Sequence, residues 1–331
     1  MPLKDYFKHY IFNLNFYFWI GWAIIISTKN PWVVPPVVFK IKKEAVVRIK
    51  SEPVELSIKI NSHNYKILYY LSFLRNQGNL LFDGTKVKFL PCGVELLPDQ
   101  MVEEEVVIIY FACILNLSLE RHEDYYLLRL KDGMKFKVKK ISQISNLAET
   151  FIKNQYQRFG QDLKGKVVLD IGTSIGDTPI YFSRAGAKMV YAYEPDPYSF
   201  NLAMDNLKLN SISNVKLFEV GVGASKGKIA TKSFSSSEKV IINVLPFSEV
   251  IKQVGEVDFL KMDCEGCEFP ALLSLSNKEL SNIKELVIEY HKNPSQIVEK
   301  LKNAGFLVNV EEPWMYDQGY PVGFLHARKQ N

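Results

Sequence analysis

The chain has 331 residues, of which 47% are hydrophobic and 23% charged, with a formal net charge of +5. That is enough apolar sequence for one large or two ordinary domains, and it excludes a disordered or fibrous chain. Four cysteines in this length make no disulfide framework and suit a reducing, cytoplasmic setting; the mild, scattered positive charge makes nucleic acid an unexpected partner.

Residues 10–27, YIFNLNFYFWIGWAIIIS, carry no charge. Their uninterrupted apolar part, 16–26, falls short of the roughly 20 residues that span a bilayer. No small-residue cleavage site follows, so no signal peptide is expected. Tyr10, Tyr17, Phe18 and Trp22 suit a helix packed on the protein's own surface or one making peripheral contact with a membrane. Residues 1–30 are read as this helix, and Pro31, Pro35 and Pro36 end it.

Residues 31–140 read as a β-rich accessory region. Strand composition covers 37–49, 54–60, 87–90 and 106–114, and 65–74 suits a helix. Asp83-Gly84 and Asp132-Gly133 are hairpin turns. No catalytic constellation is visible here, and His63, Cys113 and His122 stand isolated.

From 141 to 331 the pattern becomes regular. A helix over 149–159 leads to a buried strand at 167–171. Gly172 and Gly176 follow, then a helix over 178–184 stopped by Gly186, and a second strand at 189–193 closed by Glu194. This is a βαβ unit for an adenosine-containing cofactor, with the closing carboxylate on the ribose hydroxyls. Pro195-Asp196-Pro197 opens a helix to about 210, where proline suits a first turn. A third strand, 215–220, ends at Gly221-Val222-Gly223, and 228–242 reads as an inserted strand pair. A helix over 246–254 and a strand over 257–262 lead to Asp263. A helix over 268–275, a strand over 285–290 and a helix over 295–304 precede a closing pair at 306–310 and 322–327. The expected fold is α/β: a doubly wound, mostly parallel, seven-stranded sheet whose last strand inserts antiparallel.

Ligands of such sheets gather beyond the carboxyl ends of the strands. Asp170, Asp263 and His291 are all expected there. Cys264 and Cys267 form a C-x-x-C, but no second pair or histidine cluster completes a zinc site, so they read as small residues flanking the carboxylates.

Three stretches, Asp170-Ile171-Gly172-Thr173-Ser174-Ile175-Gly176-Asp177, Val190-Tyr191-Ala192-Tyr193-Glu194-Pro195-Asp196-Pro197 and Leu260-Lys261-Met262-Asp263-Cys264-Glu265-Gly266-Cys267-Glu268, resemble the FkbM-type methyltransferases. These are class I enzymes that use S-adenosylmethionine (SAM). The glycine motif alone is weak; Glu-Pro-x-Pro after the second strand together with D-x-E-G-x-E after the fourth is specific. Thr173-Ser174 stands where the family has Ala-Asn, and Cys264 and Cys267 where it has small aliphatic residues. The resemblance runs from about residue 132 onward. It implies the class I methyltransferase sheet and O-methyl transfer to a sugar or other hydroxyl acceptor, either a small molecule or a glycan.

The resemblance also implies residue roles. Glu194 would bind the ribose hydroxyls and Asp170 would face the ammonium of the methionine portion. The turn Gly172, Thr173 and Gly176 would meet its carboxylate. Pro195, Asp196 and Gly221 would complete the cofactor set, with 218–222 along adenine. Asp263 or His291 would act as general base, supported by Glu265, and no metal would be needed. Two alternatives stay open at this point: an NAD(P)-dependent oxidoreductase, and a non-catalytic SAM-binding module. A short-chain dehydrogenase needs a Tyr-x-x-x-Lys beyond the cofactor motif, and none occurs after Asp170.

Overall fold

A computed structural model describes residues 43–49, 56–61, 67–156, 160–233, 238–317 and 319–329, with single positions at 28, 29, 31 and 34. The expected helix over 10–27, and its membrane or surface contact, lie outside the described residues. Among the described residues, no helix is long and apolar enough to cross a membrane. The chain divides into two compact units, residues 1–144 and 145–331.

In the first unit β1 (Glu44–Ile49) pairs antiparallel with β2 (Leu56–Asn61), and α1 (Ile67–Asn76) follows. Two three-stranded meanders come next: β3 (Leu80–Phe82), β4 (Val87–Phe89) and β5 (Val94–Leu96), then β6 (Ser118–Arg121), β7 (Tyr126–Arg129) and β8 (Lys135–Val138). Both Asp-Gly turns form as expected. The Asp83 carboxylate accepts the Thr85 and Lys86 N–H groups at 2.9 and 2.8 Å, and Asp132 accepts that of Met134 at 3.2 Å.

Between the meanders lies α2 (Glu103–Ile114), where a strand over 106–114 was expected. Its apolar run has no period of its own, and such a run reads equally as buried strand or buried helix. Its length and the three acids in its first turn, Glu103, Glu104 and Glu105, favour the helix. Tyr110 then packs its ring 4.9 Å from Tyr70 and 5.4 Å from Phe73 of α1. Cys92 and Cys113 are buried in this unit with their Sγ atoms 2.6 Å apart.

The second unit carries the large sheet. After α3 (Ile141–Leu147) the chain makes a wide π turn, Ala148–Ile152, and stops. The expected helix over 149–159 therefore starts earlier, at Ile141, and ends at Ile152; Asn154, with φ of 48°, turns the chain out of the right-handed helix. In order follow β9 (Val167–Ile171), α4 (Asp177–Arg184), β10 (Met189–Tyr193), α5 (Pro197–Leu209), β11 (Val215–Phe218), β12 (Gly221–Gly223), β13 (Gly227–Lys232), β14 (Lys239–Pro246) and α6 (Phe247–Val254). Then come β15 (Val257–Met262), α7 (Glu268–Ser274), α8 (Asn277–Leu280), β16 (Ile283–Tyr290), α9 (Ser295–Asn303), β17 (Phe306–Val310), β18 (Met315–Asp317) and β19 (Tyr320–Lys329).

The main sheet has the order β11-β10-β9-β15-β16-β19-β17, with β18 paired to β19 at one side. Neighbours from β11 to β16 run parallel. β19 inserts antiparallel between β16 and β17, as the closing pair predicts. This is the class I methyltransferase arrangement, doubly wound, mostly parallel and seven-stranded along its main path, with β12, β14 and β13 forming a small separate sheet.

Apolar runs in β9, β15 and β16 are continuous because helices cover both faces. Leu169, Leu260 and Leu286 join one cluster with Phe247, Leu272 and Leu301 from α6, α7 and α9. Val168, Phe259 and Val287 point the other way, to Phe182 of α4. Strand order reverses between β9 and β15, so their carboxyl ends open a crevice. Asp170 and Asp263 stand at that place.

Candidate functional site

The first cluster is built by the turn from β9 into α4. Gly172 has φ of 83°, and a Cβ there would overlap the Asp263 carbonyl of the neighbouring strand end. Only glycine lets the two chains approach so closely. The Gly172 and Thr173 N–H groups donate to the Tyr193 carbonyl at 3.0 and 3.3 Å, tying the turn to the end of β10. Gly176, φ 84°, then starts α4.

Glu194 closes β10 and is buried. One carboxylate oxygen accepts the Ser174 N–H at 2.7 Å, and the other accepts the Asp196 N–H at 3.0 Å. Each oxygen keeps lone-pair capacity beyond that bond. Burial pushes its pKa up to about 7, against the pull of those N–H groups. Asp196 caps α5 by accepting the Tyr198 N–H at 2.9 Å, and it also receives the Ser233 hydroxyl. Pro195 lies beside Gly221, where a Cβ would stand 3.4 Å from the proline ring. Tyr193 stacks on Phe218 at 4.9 Å. The sequence-predicted cofactor residues Asp170, Gly172, Thr173, Gly176, Glu194, Pro195, Asp196 and Gly221 therefore cluster around the ends of β9, β10 and β12.

Asp170 is committed more deeply than its sequence pattern suggests. It is fully buried, accepts the Thr178 hydroxyl at 2.5 Å and lies 3.3 Å from the Lys261 ammonium. Burial raises its pKa, opposed chiefly by Lys261. Lys261 is itself buried and also donates to the Gly172 carbonyl. Burial alone would lower its pKa, but Asp170, Asp263 and Asp177 together outweigh that and raise it. Sequence reasoning passed over Lys261. The signal was present: a lysine inside Val-Asp-Phe-Leu-Lys-Met, a strand buried on both faces, requires an anionic partner. Asp177, pushed by burial to about 6, accepts the Thr150 hydroxyl at 2.6 Å.

The second cluster sits beyond β15 and β16. Asp263 ends β15, and Glu265 and Gly266 take positive φ of 57° and 111°. These two left-handed residues fold the chain back, so that Cys264 and Cys267 lie with Cα atoms 5.5 Å apart and are joined by a disulfide. The expectation of two plain small residues is corrected here. Glu268, fully buried, accepts the Cys264 and Gly266 N–H groups at 2.9 Å each and so closes its own loop.

His291 follows β16 directly. Its Nε2 lies 3.4 Å from Glu265 Oε2, and its Nδ1 3.3 Å from Glu268 Oε1. Although burial alone would lower it, Glu268, Glu265 and Asp263 lift the imidazole pKa to about 9. Glu289, two residues earlier and absent from the sequence-based set, is pushed up to about 9 by burial and then by Asp263. Asp263 is raised by burial, with Lys261 opposing, and shares a hydrogen bond with Glu289. Burial, then Asp263, raises Glu265 as well. The structure thus brings Asp263, Glu265 and His291 together and adds Glu268 and Glu289. One ligand atom from each of Asp263, Glu265 and His291 lies within 4.8 Å of the others.

Fold and strand-end chemistry together define a class I methyltransferase unit, and comparison with known proteins agrees. The model for the methyltransferase FkbM domain matches residues 170–320, the segment that carries all three motifs. "Methyltransferase 1" of Beauveria bassiana (strain ARSEF 2860) is 23% identical over 184 residues, 44% of this chain and 74% of its own. "Methyltransferase sdnD" of Sordaria araneosa is 23% identical over 215 residues, 50% of this chain and 82% of its own. Among solved structures, magnesium protoporphyrin IX methyltransferase (ChlM) from Synechocystis PCC 6803 with bound SAM aligns at a TM-score of 0.35. It shares 14% identity and covers 57% of this chain and 82% of its own. The family match sets aside the oxidoreductase alternative.

Proposed function

We propose that this chain is a SAM-dependent O-methyltransferase acting on a hydroxyl of a sugar or other small-molecule or glycan acceptor. The observation that carries the cofactor assignment is Glu194. It ends β10 with each oxygen holding one N–H, of Ser174 and of Asp196, and both retain capacity for a vicinal diol. The Gly172 turn, packed against the Asp263 carbonyl, fixes the wall of the crevice beside which the methionine portion would lie. Bound there, SAM supplies an electrophilic methyl group on a cationic sulfur.

The work left to the protein is positioning and proton handling. Holding the acceptor in line is worth roughly 7–11 kcal/mol in favourable cases. Removing the hydroxyl proton needs a nearby base. His291, held as an imidazolium up to about 9, is already protonated at neutral pH and is a poor acceptor. Asp263, hydrogen-bonded to Glu289, shares a buried site where one carboxyl keeps its proton and its partner is free to accept another. Asp263 is therefore the base in this reading, and Glu265 and His291 orient it.

Transfer of labelled methyl from SAM to a panel of glycans and small alcohols tests the activity. Asp263→Asn should lower turnover by about 100-fold while leaving SAM affinity within a factor of two to three. Equal loss of both would move Asp263 to cofactor binding. Saturable SAM binding with no transfer to any hydroxyl, amine or carbon acceptor would leave a non-catalytic module.

A further inference from the structure

We propose that Asp263, Glu265 and His291 form a divalent-cation site, with Glu268 orienting the histidine. The three side chains come from two chain segments that meet only in the fold: the loop after β15 and the residue after β16. Their ligand atoms lie within 4.8 Å of one another. Oxygen and nitrogen ligands bind such ions at about 2.0–2.6 Å, so ligands on opposite sides of one ion stand roughly 4–5 Å apart. The observed spacing is of that size, and half-exposed Glu265 is able to close in.

The surroundings of the histidine point the same way. Metal-bound histidines hold their other ring nitrogen against a carboxylate, which fixes ring orientation and raises ligand basicity. Here His291 Nε2 faces Glu265 at 3.4 Å, while Nδ1 faces the fully buried Glu268 carboxylate at 3.3 Å. Glu268 is in turn fixed by two backbone N–H groups, from Cys264 and Gly266. Nδ1 itself is buried and makes no well-aligned hydrogen bond. The arrangement is a carboxylate–histidine–open position series, built on a loop that the Cys264–Cys267 disulfide clamps.

Charge also favours a cation. Asp263, Glu265, Glu268 and Glu289 converge, and Lys261 is already engaged with Asp170 and the Gly172 carbonyl. Two carboxylates and one imidazole suit manganese, magnesium or calcium, with the remaining positions for water or an acceptor oxygen. A bound ion would lower the pKa of that oxygen, and Asp263 would then act as its ligand in place of the free base described above. This last role rests on the proposed methyl transfer; occupancy of the site does not.

The competing reading is that the His291 imidazolium is itself the counter-ion of these carboxylates. Manganese titration of the full chain, stripped with a chelator and followed by calorimetry and paramagnetic resonance, separates the two. One Mn²⁺ per chain is expected. Glu265→Gln and His291→Gln should each weaken it by at least roughly 100-fold, and Glu268→Gln by about 10-fold. Glu265 is exposed enough that its substitution should not disturb folding, which circular dichroism checks. Absent saturable binding, or equal affinity in the Glu265 and His291 variants, overturns the site and leaves the imidazolium as counter-ion. SAM titrated into the same samples keeps the readings apart. Manganese binding without SAM binding would sink the methyltransferase proposal alone, and the reverse would sink the cation site alone.

Discussion

The two ends of the crevice are built on opposite principles. Around the glycine turn, polar groups are already spoken for: Glu194 by two N–H groups, and Asp170 by Thr178 and Lys261. Beyond β15 and β16, carboxylates crowd together with few cations, and their pKa values rise. A satisfied, rigid cradle suits an invariant ligand, whereas a strained cluster suits proton or cation chemistry. Lys261 joins the two, since Asp170, Asp263 and Asp177 all act on its charge.

Lys261→Met should therefore damage both ends at once. It leaves Asp170 buried without its cation, a loss of about 3–5 kcal/mol that urea unfolding would read. If stability fell by less than about 1 kcal/mol, the two clusters would not be coupled through this residue. Glu194→Ala should strike the cofactor end only. Losing a charged acceptor and stranding two N–H groups should cost about 2–4 kcal/mol of SAM binding, or roughly 30- to 1000-fold in Kd by calorimetry. Unchanged affinity would remove Glu194 from the ribose role.

Reducing Cys264–Cys267 should touch the other end only. The closed loop is short, so the chain-entropy gain is about 2 kcal/mol, visible as a modest drop in Tm with reductant. SAM affinity should hold. A loss of SAM binding on reduction would show that the loop shapes the cofactor cradle too.

The smallest effect expected is that of pH on SAM affinity. Glu194 is raised to about 7 and must be ionised to accept both ribose hydroxyls. Affinity is then full above that value and declines as pH falls through it, by up to roughly tenfold per unit. Calorimetry giving one Kd from pH 6 to pH 8 would contradict this.

Much of the glycine-turn cluster was legible because its determinants are local. Gly172, Gly176 and Glu194 fall within one βαβ unit, where strand, turn and helix are adjacent in sequence. Lys261 and Glu289 were missed because each lies inside a strand, where a charged residue looks like one of many. The α2 segment was misread for a related reason: burial is unbroken from Glu105 to Tyr110, more than a full turn, and periodicity fades where no face of the run meets water. The disulfide was missed because pairing depends on two left-handed residues that spacing does not announce.

By itself the sequence determined the strand–helix alternation, the glycine turn and the carboxylates that end β10 and β15. These follow from near-neighbour chemistry, in which hydrophobic runs, glycines and prolines act within a few residues of themselves. Only the tertiary structure decided what those carboxylates face. Asp170 and Lys261 meet because β9 and β15 are neighbours in the sheet, and His291 reaches Glu265 and Glu268 because β16 ends beside β15. Charge pairing over such separations is set by strand order, and its energy by burial, neither of which is written in any short stretch of chain.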